Sequence, residues 1–303
     1  IVPTLPKQKG WMTEHLVKYQ GVWLTPMSAL KGVMLVQQHF NSQPTDILLA
    51  TFPKSGTTWF KALIFTIMNR NRFEFSTHPL LTKGPHDCIP FLEAMISNPN
   101  LPSPRLFATH IPYPLLPTGS GCRIIYVFRN PKDVFVSNWH YLKKLRPKDL
   151  PTLSIEEAFE LFSEGVSHFG PFWDHVVGYW NASLESPEKV LFVAYEDMKM
   201  NPSVHVKKLA EFLGRPFSLE EEREGVVEEI IRLCSFENLS NLEVNKTGVQ
   251  QFTPQFAVEN HNFFRKGEIG DWQNHLTAEM AEHLDQITKQ KFDGNGLMFH
   301  MLP

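Results

Sequence analysis

The sequence has only three cysteines in 303 residues, Cys88, Cys122 and Cys234. They lie far apart and form neither a C-x-x-C pair nor an even disulfide framework, which predicts a reducing compartment and thiols that act as small buried hydrophobes. No apolar run approaches the roughly 18 residues of a spanning helix, and no charged-then-apolar leader opens the chain. A soluble, cytoplasmic protein with no membrane partner is expected. An excess of charge of one sign is also lacking: 29 Lys and Arg face 32 Asp and Glu, for a net charge of −3. That balance argues against a nucleic-acid partner, so any anion must be held by a few cations gathered locally. Low-complexity tracts, internal repeats and linkers are absent too, and the 23 prolines are spread along the chain. One domain spanning residues 1–303 is expected, with enough apolar content to fold without staples.

What is present is an alternation of short apolar runs and longer stretches of helical spacing. The runs 46–51 (DILLAT), 106–109 (LFAT), 123–128 (RIIYVF) and 190–195 (VLFVAY) read as strands buried on both faces. Between or after them, 58–69, 132–145, 155–177 and 204–213 read as helices. Together they predict an α/β fold with a central, mainly parallel β-sheet flanked by helices. Ligands of such sheets bind beyond the carboxyl ends of the strands. The residues there are Lys54, His110, Arg129 and Tyr195, a set that favours one shared site for an anionic ligand.

The stretch after the first run, Pro53-Lys54-Ser55-Gly56-Thr57-Thr58, must turn sharply. Gly56 supplies the permissive backbone, and Thr57 and Thr58 open the next helix, so successive N–H groups can cradle an anion at a positive helix end beside the Lys54 ammonium. The triphosphatase loop GxxxxGK[ST] places its lysine after the last glycine and its hydroxyl on magnesium. Here the first glycine is missing and Lys54 precedes Gly56, so a metal-dependent γ-phosphate site is a poor match.

The segments FPKSGTTW (52–59), YVFRNPKDVFVSNWHY (126–141) and FFRKGEIGDW (263–272) resemble, in that order, the 5′-phosphosulfate loop, the 3′-phosphate segment and the C-terminal nucleotide loop of the cytosolic sulfotransferases. The wording SPRLFATHIPY, GPFWDHVVGYW and LCSFENLSNLEVNK is similar to the plant branch, whose members sulfate flavonoids, steroids and hydroxyjasmonates. The resemblance implies transfer of a sulfuryl group from 3′-phosphoadenosine 5′-phosphosulfate (PAPS) to the hydroxyl of a small, largely apolar acceptor. It implies no metal.

The residues support two anion holders. One is the loop, with Lys54, Ser55, Gly56, Thr57 and Thr58. The other begins at Arg129, whose planar fork suits a phosphate, and Ser137 follows about two helical turns on, on nearly the same face. By resemblance, Arg265, Lys266 and Gly267 close over the 3′-phosphate, Trp59 and Phe236 flank the adenine, and Tyr195 touches the nucleotide. His110 matches the family's general base, and imidazole has the pKa for that role. Lys54 would also stabilise charge on the departing oxygen.

In two places the chain departs from the animal members. Their lysine two positions before the catalytic histidine is Ala108 here, and their dimer segment KxxxTVxxxE keeps only Thr277 and Glu282 of its four fixed positions at Gln273, Thr277, Ala278 and Glu282. A monomer or weak homodimer is expected. A nucleotide kinase on a related fold lacks its GxxxxGK[ST] here, and a silent binding module has no need of the intact Lys54, His110, Ser137 and Arg265-Lys266-Gly267 set. Trp23, Phe91, Tyr113, Tyr141, His168, Phe169 and Trp173 are candidate walls for the acceptor.

Overall fold

The computed structural model describes residues 4–94, 103–117, 121–253 and 256–297. Three short strands come first: β1 (Lys7–Lys9), β2 (His15–Tyr19) and β3 (Val22–Leu24), paired antiparallel in that order. Helix α1 (Ala29–His39) follows, and then β4 (Ile47–Thr51), all five of whose residues are buried. From β4 the chain turns into α2 (Thr57–Asn69), passes the single-turn helix α3 (Pro85–Cys88), and reaches β5 (Leu106–Thr109). β6 (Arg123–Phe128) leads into α4 (Pro131–Leu145), α5 (Ile155–Ser163), α6 (Phe172–Glu185) and β7 (Val190–Ala194). Two helices, α7 (Tyr195–Met200) and α8 (Pro202–Phe212), come next. Farther on, β8 (Val249–Thr253) and β9 (Phe256–Glu259) pair antiparallel, and Ala278–Phe292 is the last described helix.

The main sheet has the order β5-β4-β6-β7, with every neighbouring pair parallel. Its apolar runs are continuous because both faces are covered. Leu48, Ala50, Ile124 and Tyr126 point into one cluster with β2, β3, α1 and α6, whereas Ile47, Leu49, Ile125 and Val127 point into another with α2 and α8. The alternation is the two-residue period of a strand. After β4 the chain moves outward to β5 and then returns to β6 on the other side, which opens a crevice at the carboxyl ends of these three strands.

Two expected elements come out differently. The helix read across 155–177 is broken into α5 and α6. Gly165 at φ +80° and Phe169 at φ +64° take left-handed backbone between them, and Pro171 precedes the first turn of α6. Apolar spacing alone carried the reading through this break. Tyr195 starts α7 instead of closing β7, where its ring is 4% exposed.

Candidate active site

The loop after β4 is shaped by two left-handed residues, Lys54 at φ +69° and Gly56 at φ +103°. A lysine there is strained, and such strain in non-glycine residues collects at functional sites. The first α2 bond runs from Phe60 N–H to the Gly56 carbonyl at 3.0 Å, so the N–H groups of Thr57, Thr58 and Trp59 project from the helix start. A Cβ on Gly56 would lie 2.7 Å from Tyr195 Cδ2. Ser55 Oγ is buried without a hydrogen-bond partner among the described residues. The two threonine hydroxyls are engaged within the protein: Thr57 Oγ1 lies 2.7 Å from Thr51 Oγ1, and Thr58 Oγ1 lies 3.1 Å from His86 Nε2.

Lys54 Nζ rests over the Tyr141 ring at 4.0 Å from its centroid. Burial, followed by the charges of Arg129, Arg265 and Lys144, pushes its pKa down to about 7. Such crowding of cations is what a site for a multiply charged anion requires, because the bound charge restores the ammonium. Arg129 follows β6 and is 6% exposed. Its Nη1 donates to the Lys54 carbonyl at 3.3 Å and its Nη2 to the Glu268 carbonyl at 2.8 Å, while its Nε is buried without a partner among the described residues. Asn130 caps α4 by accepting from Lys132 N–H at 2.9 Å. Ser137, 5% exposed, lines the same cavity two turns along.

The C-terminal loop reaches the site by means of two carboxylates. Asp133 of α4 accepts from Gly270 N–H at 2.8 Å and Trp272 N–H at 3.1 Å. Asp271 binds both Arg265 and Lys266. Burial alone would raise its pKa, but the hydrogen bonds from Lys266 and Arg265 win and hold the carboxyl well below the usual range. Gly267 has φ +68°, and a Cβ there would meet Phe236 Cδ2 at 2.4 Å. Tyr195 Oη donates to the Gly267 carbonyl at 3.3 Å, and its ring meets Trp59 at 5.4 Å, edge to face.

His110, just past β5, is fixed by three contacts. Its Nδ1 lies 2.8 Å from the Thr51 carbonyl and 3.2 Å from Thr51 Oγ1, and its backbone N–H donates to Glu93 Oε1 at 3.0 Å. A carbonyl can only accept, so Nδ1 carries the proton and Nε2 keeps its lone pair. Burial pushes the imidazole pKa down to about 3, against the Thr51 carbonyl, which raises it. The ring is flanked by Phe91 at 4.8 Å and Phe169 at 5.5 Å.

All these groups line one cavity of about 400 Å³: Lys54, Gly56, Thr57, Thr58, Trp59, His110, Arg129, Ser137, Tyr195, Phe236, Arg265, Lys266 and Gly267. Ser55 sits in the loop wall beside them. Of the candidate acceptor walls, Phe91, Tyr141, His168 and Phe169 also line it. Trp23, Tyr113 and Trp173 do not: Trp173 donates to Thr288 Oγ1 at 2.9 Å in the core, and Tyr113 packs on Tyr179. Sequence reasoning missed three carboxylates of the site: Asp133 and Asp271, which pair with its cations, and Glu93, which holds the His110 backbone. Only Asp133 gave a signal, as the last residue of RNPKD beside an arginine four positions earlier. Among the described residues, no group of three His, Cys, Asp or Glu side chains could hold a metal ion.

Clustered cations with open N–H groups and a neutral imidazole share one cavity, an arrangement that suits a transferase taking its group from an anionic nucleotide. Residues 44–296 match the family model described as "Sulfotransferase domain". The chain is 48% identical to Cytosolic sulfotransferase 12 of Arabidopsis thaliana, over 99% of this chain and 93% of that protein. It is 47% identical to Flavonol 4'-sulfotransferase of Flaveria chlorifolia, over 97% of this chain and 93% of that one. Among solved structures it is similar to mouse sulfotransferase SULT7A1 complexed with PAP, at 27% identity and TM-score 0.71, over 92% of this chain and 95% of that chain. The protein belongs to the sulfotransferase family, in its plant cytosolic branch. It is a PAPS-dependent enzyme that transfers a sulfuryl group to the hydroxyl of a small molecule.

The residues present fit that donor. Ser55 Oγ, Arg129 Nε and Arg265 Nε are buried polar atoms without partners among the described residues, spread over both anion holders. The positive-φ glycines 56 and 267 let their loops pack directly on Tyr195 and Phe236, where a Cβ would clash, and so bring those two rings to the cavity wall.

Proposed function

We propose that His110 is the general base and Lys54 the electrostatic stabiliser of in-line sulfuryl transfer to a small hydroxylated acceptor with a largely apolar body. The observation that carries the reading is the Nδ1 contact of His110 with the Thr51 carbonyl at 2.8 Å, which leaves the Nε2 lone pair free to accept a proton in the cavity that Lys54 also lines. PAPS supplies an activated sulfuryl group. Ser55, Gly56, Thr57 and Thr58 hold its 5′ end, with backbone N–H groups at a helix start as donors. Arg129, Ser137, Arg265, Lys266 and Gly267 hold the 3′-phosphate, and Trp59, Tyr195 and Phe236 give the adenine its aromatic surroundings. His110 Nε2 takes the acceptor proton as the oxygen attacks, and the Lys54 ammonium meets the negative charge that grows on the departing oxygen. Phe91, Tyr141, His168 and Phe169 wall the acceptor. Residues 1–303 act as one sulfotransferase domain, monomeric or weakly dimeric, and the relatives named cytosolic sulfotransferases support a place in the cytoplasm.

The test is transfer of labelled sulfate from PAPS to a panel of phenolic, steroidal and hydroxy-acid acceptors, with His110→Ala as the comparison. The variant is expected to lose about 100-fold or more of turnover, the range for a positioned acid–base group, and to bind PAP as the parent does. Undiminished turnover in this variant removes His110 from the chemistry.

A further inference from the structure

Lys61 stands on α2, three residues after Thr58 and on the same face of the helix. It is 0% exposed, and among the described residues no carboxylate pairs with it. A lysine is almost never buried to this extent without a partner, and a methionine would fill the same space without the cost of desolvating a charge. What Lys61 Nζ meets is an imidazole, with His86 Nδ1 at 2.9 Å, and an aromatic face, with the Phe91 centroid at 3.5 Å. The ring face favours the ammonium form. Burial pushes the Lys61 pKa well down, while Glu93 and Asp87 raise it. The negative charge of a bound donor acts in the same direction as those carboxylates.

His86 carries the contact onward. Its Nε2 lies 3.1 Å from Thr58 Oγ1, and its ring packs on Phe91 at 5.5 Å and Phe263 at 4.2 Å. Burial, followed by the charges of Lys61, His110 and Lys54, pushes its pKa well below the ordinary value, so the imidazole is neutral and has one N–H. An ammonium can only donate. Lys61 therefore donates to Nδ1, the imidazole proton sits on Nε2, and Nε2 donates to Thr58 Oγ1. The Thr58 hydroxyl keeps its own hydrogen, for which the described residues supply no acceptor. Thr58 and His86 both line the cavity, and Lys61 stands behind them. Were the chain to run the other way, Thr58 would spend its hydrogen on Nε2 and offer an anion only lone pairs.

We propose that Lys61 and His86 are positioning residues for the sulfuryl donor: the hydrogen-bond chain from Lys61 through His86 turns the Thr58 hydroxyl hydrogen toward the phosphosulfate. Lys61 acts through two intervening groups, and its charge is kept in the core because it sets the direction of both hydrogen bonds. This inference rests on the placement of the donor's 5′ end at Thr58 in the reading above.

The experiment measures dissociation constants of PAP and of adenosine 3′-monophosphate, which lacks the 5′-phosphate, on the full chain and on Lys61→Met, Thr58→Val and the double variant. The parent is expected to prefer PAP. Lys61→Met should weaken PAP by about tenfold, the scale of one hydrogen bond to a charged group, and leave adenosine 3′-monophosphate unchanged. In the Thr58→Val background the same substitution should change PAP affinity by less than about twofold, because no hydroxyl is left to orient. His86→Phe should reproduce the loss, and His86→Gln, whose amide can still donate to Thr58, should recover part of it. A Lys61→Met variant with parental PAP affinity overturns the proposal. So does one that weakens both nucleotides alike, or acts equally with and without the Thr58 hydroxyl, since either outcome assigns Lys61 to the fold. Should Lys61→Met fail to fold, the His86 pair decides, and a His86→Gln no better than His86→Phe overturns the proposal. Failure of the underlying reading shows differently, as a parent that binds both nucleotides equally; it takes the 5′ end away from Thr58 and the inference falls with it.

Discussion

Arg129 Nη1 donates to the Lys54 backbone carbonyl at 3.3 Å, and Nη2 of the same guanidinium reaches the Glu268 carbonyl at 2.8 Å. One side chain thus ties together the loop after β4, the loop after β6 and the C-terminal loop. Its Nε is left for a ligand. Lysine cannot reproduce a fork of this kind. Arg129→Lys is therefore expected to weaken PAP by about tenfold or more, as for loss of a charge-assisted bidentate contact, with the protein still folded. Calorimetric titration checks this, and unchanged affinity would reduce Arg129 to a brace.

Lys54 gives donor binding a pH dependence. Its pKa in the free protein is about 7, and the charged form is the one that receives an anion. Below pH 7 the ammonium is already present. Above it, binding must take up a proton, so the PAP dissociation constant is expected to rise, approaching tenfold per pH unit, until the pH reaches the pKa of the bound state. Arginine stays charged throughout, so Lys54→Arg should flatten the slope. His110, held near 3 by burial, adds no step between pH 6 and 8.

Gly267 is the tightest glycine contact in the site, with φ +68° and a hypothetical Cβ 2.4 Å from the Phe236 ring. Gly267→Ala should cost about 1–3 kcal/mol for the backbone alone. The displaced ring should also weaken PAP. Thermal melts with and without PAP separate the two, and an alanine variant with parental values for both would show that the loop repacks freely.

Asp271 links stability to acid. Its folded carboxyl is held below the unfolded value of about 3.9 by Lys266 and Arg265. Its contribution is thus fully present above that unfolded value and is lost as pH falls through the folded one. Asp271→Asn should be less stable than the parent at neutral pH, with the gap closing on acidification below about pH 4. It should also weaken PAP, because Arg265 and Lys266 lose their common anchor.

The main sheet was legible because a strand buried on both faces writes itself as an unbroken apolar run. The predicted 106–109 and 123–128 match β5 and β6, and α2 and α4 each begin one residue before their predicted starts. β1 was not legible, since Lys7-Gln8-Lys9 is exposed and polar and its pairing with β2 leaves no local mark. The cations of the site could be read from strand ends and motif wording. The carboxylates that hold the loops around them left less of a mark, because Asp133 meets Gly270 across 137 positions and Glu93 meets His110 across 17. Trp23, Tyr113 and Trp173 misled for a related reason: an aromatic in the core, as Trp23 and Trp173 are, or half-buried against it, as Tyr113 is, looks the same in a sequence as one that lines a cavity.

His110, Lys54 and Arg129 follow β5, β4 and β6, which are adjacent in the sheet with β4 in the middle. The backbone ladder acts as a ruler for the site, with the proposed base and the proposed phosphate holder two strand spacings apart, about 10 Å, and the lysine at the midpoint mark. The walls contributed by α4 and by the loops around Phe91 and Phe169 can therefore be recut for a new acceptor while the span between proton acceptor and donor stays as the hydrogen-bonded strands dictate.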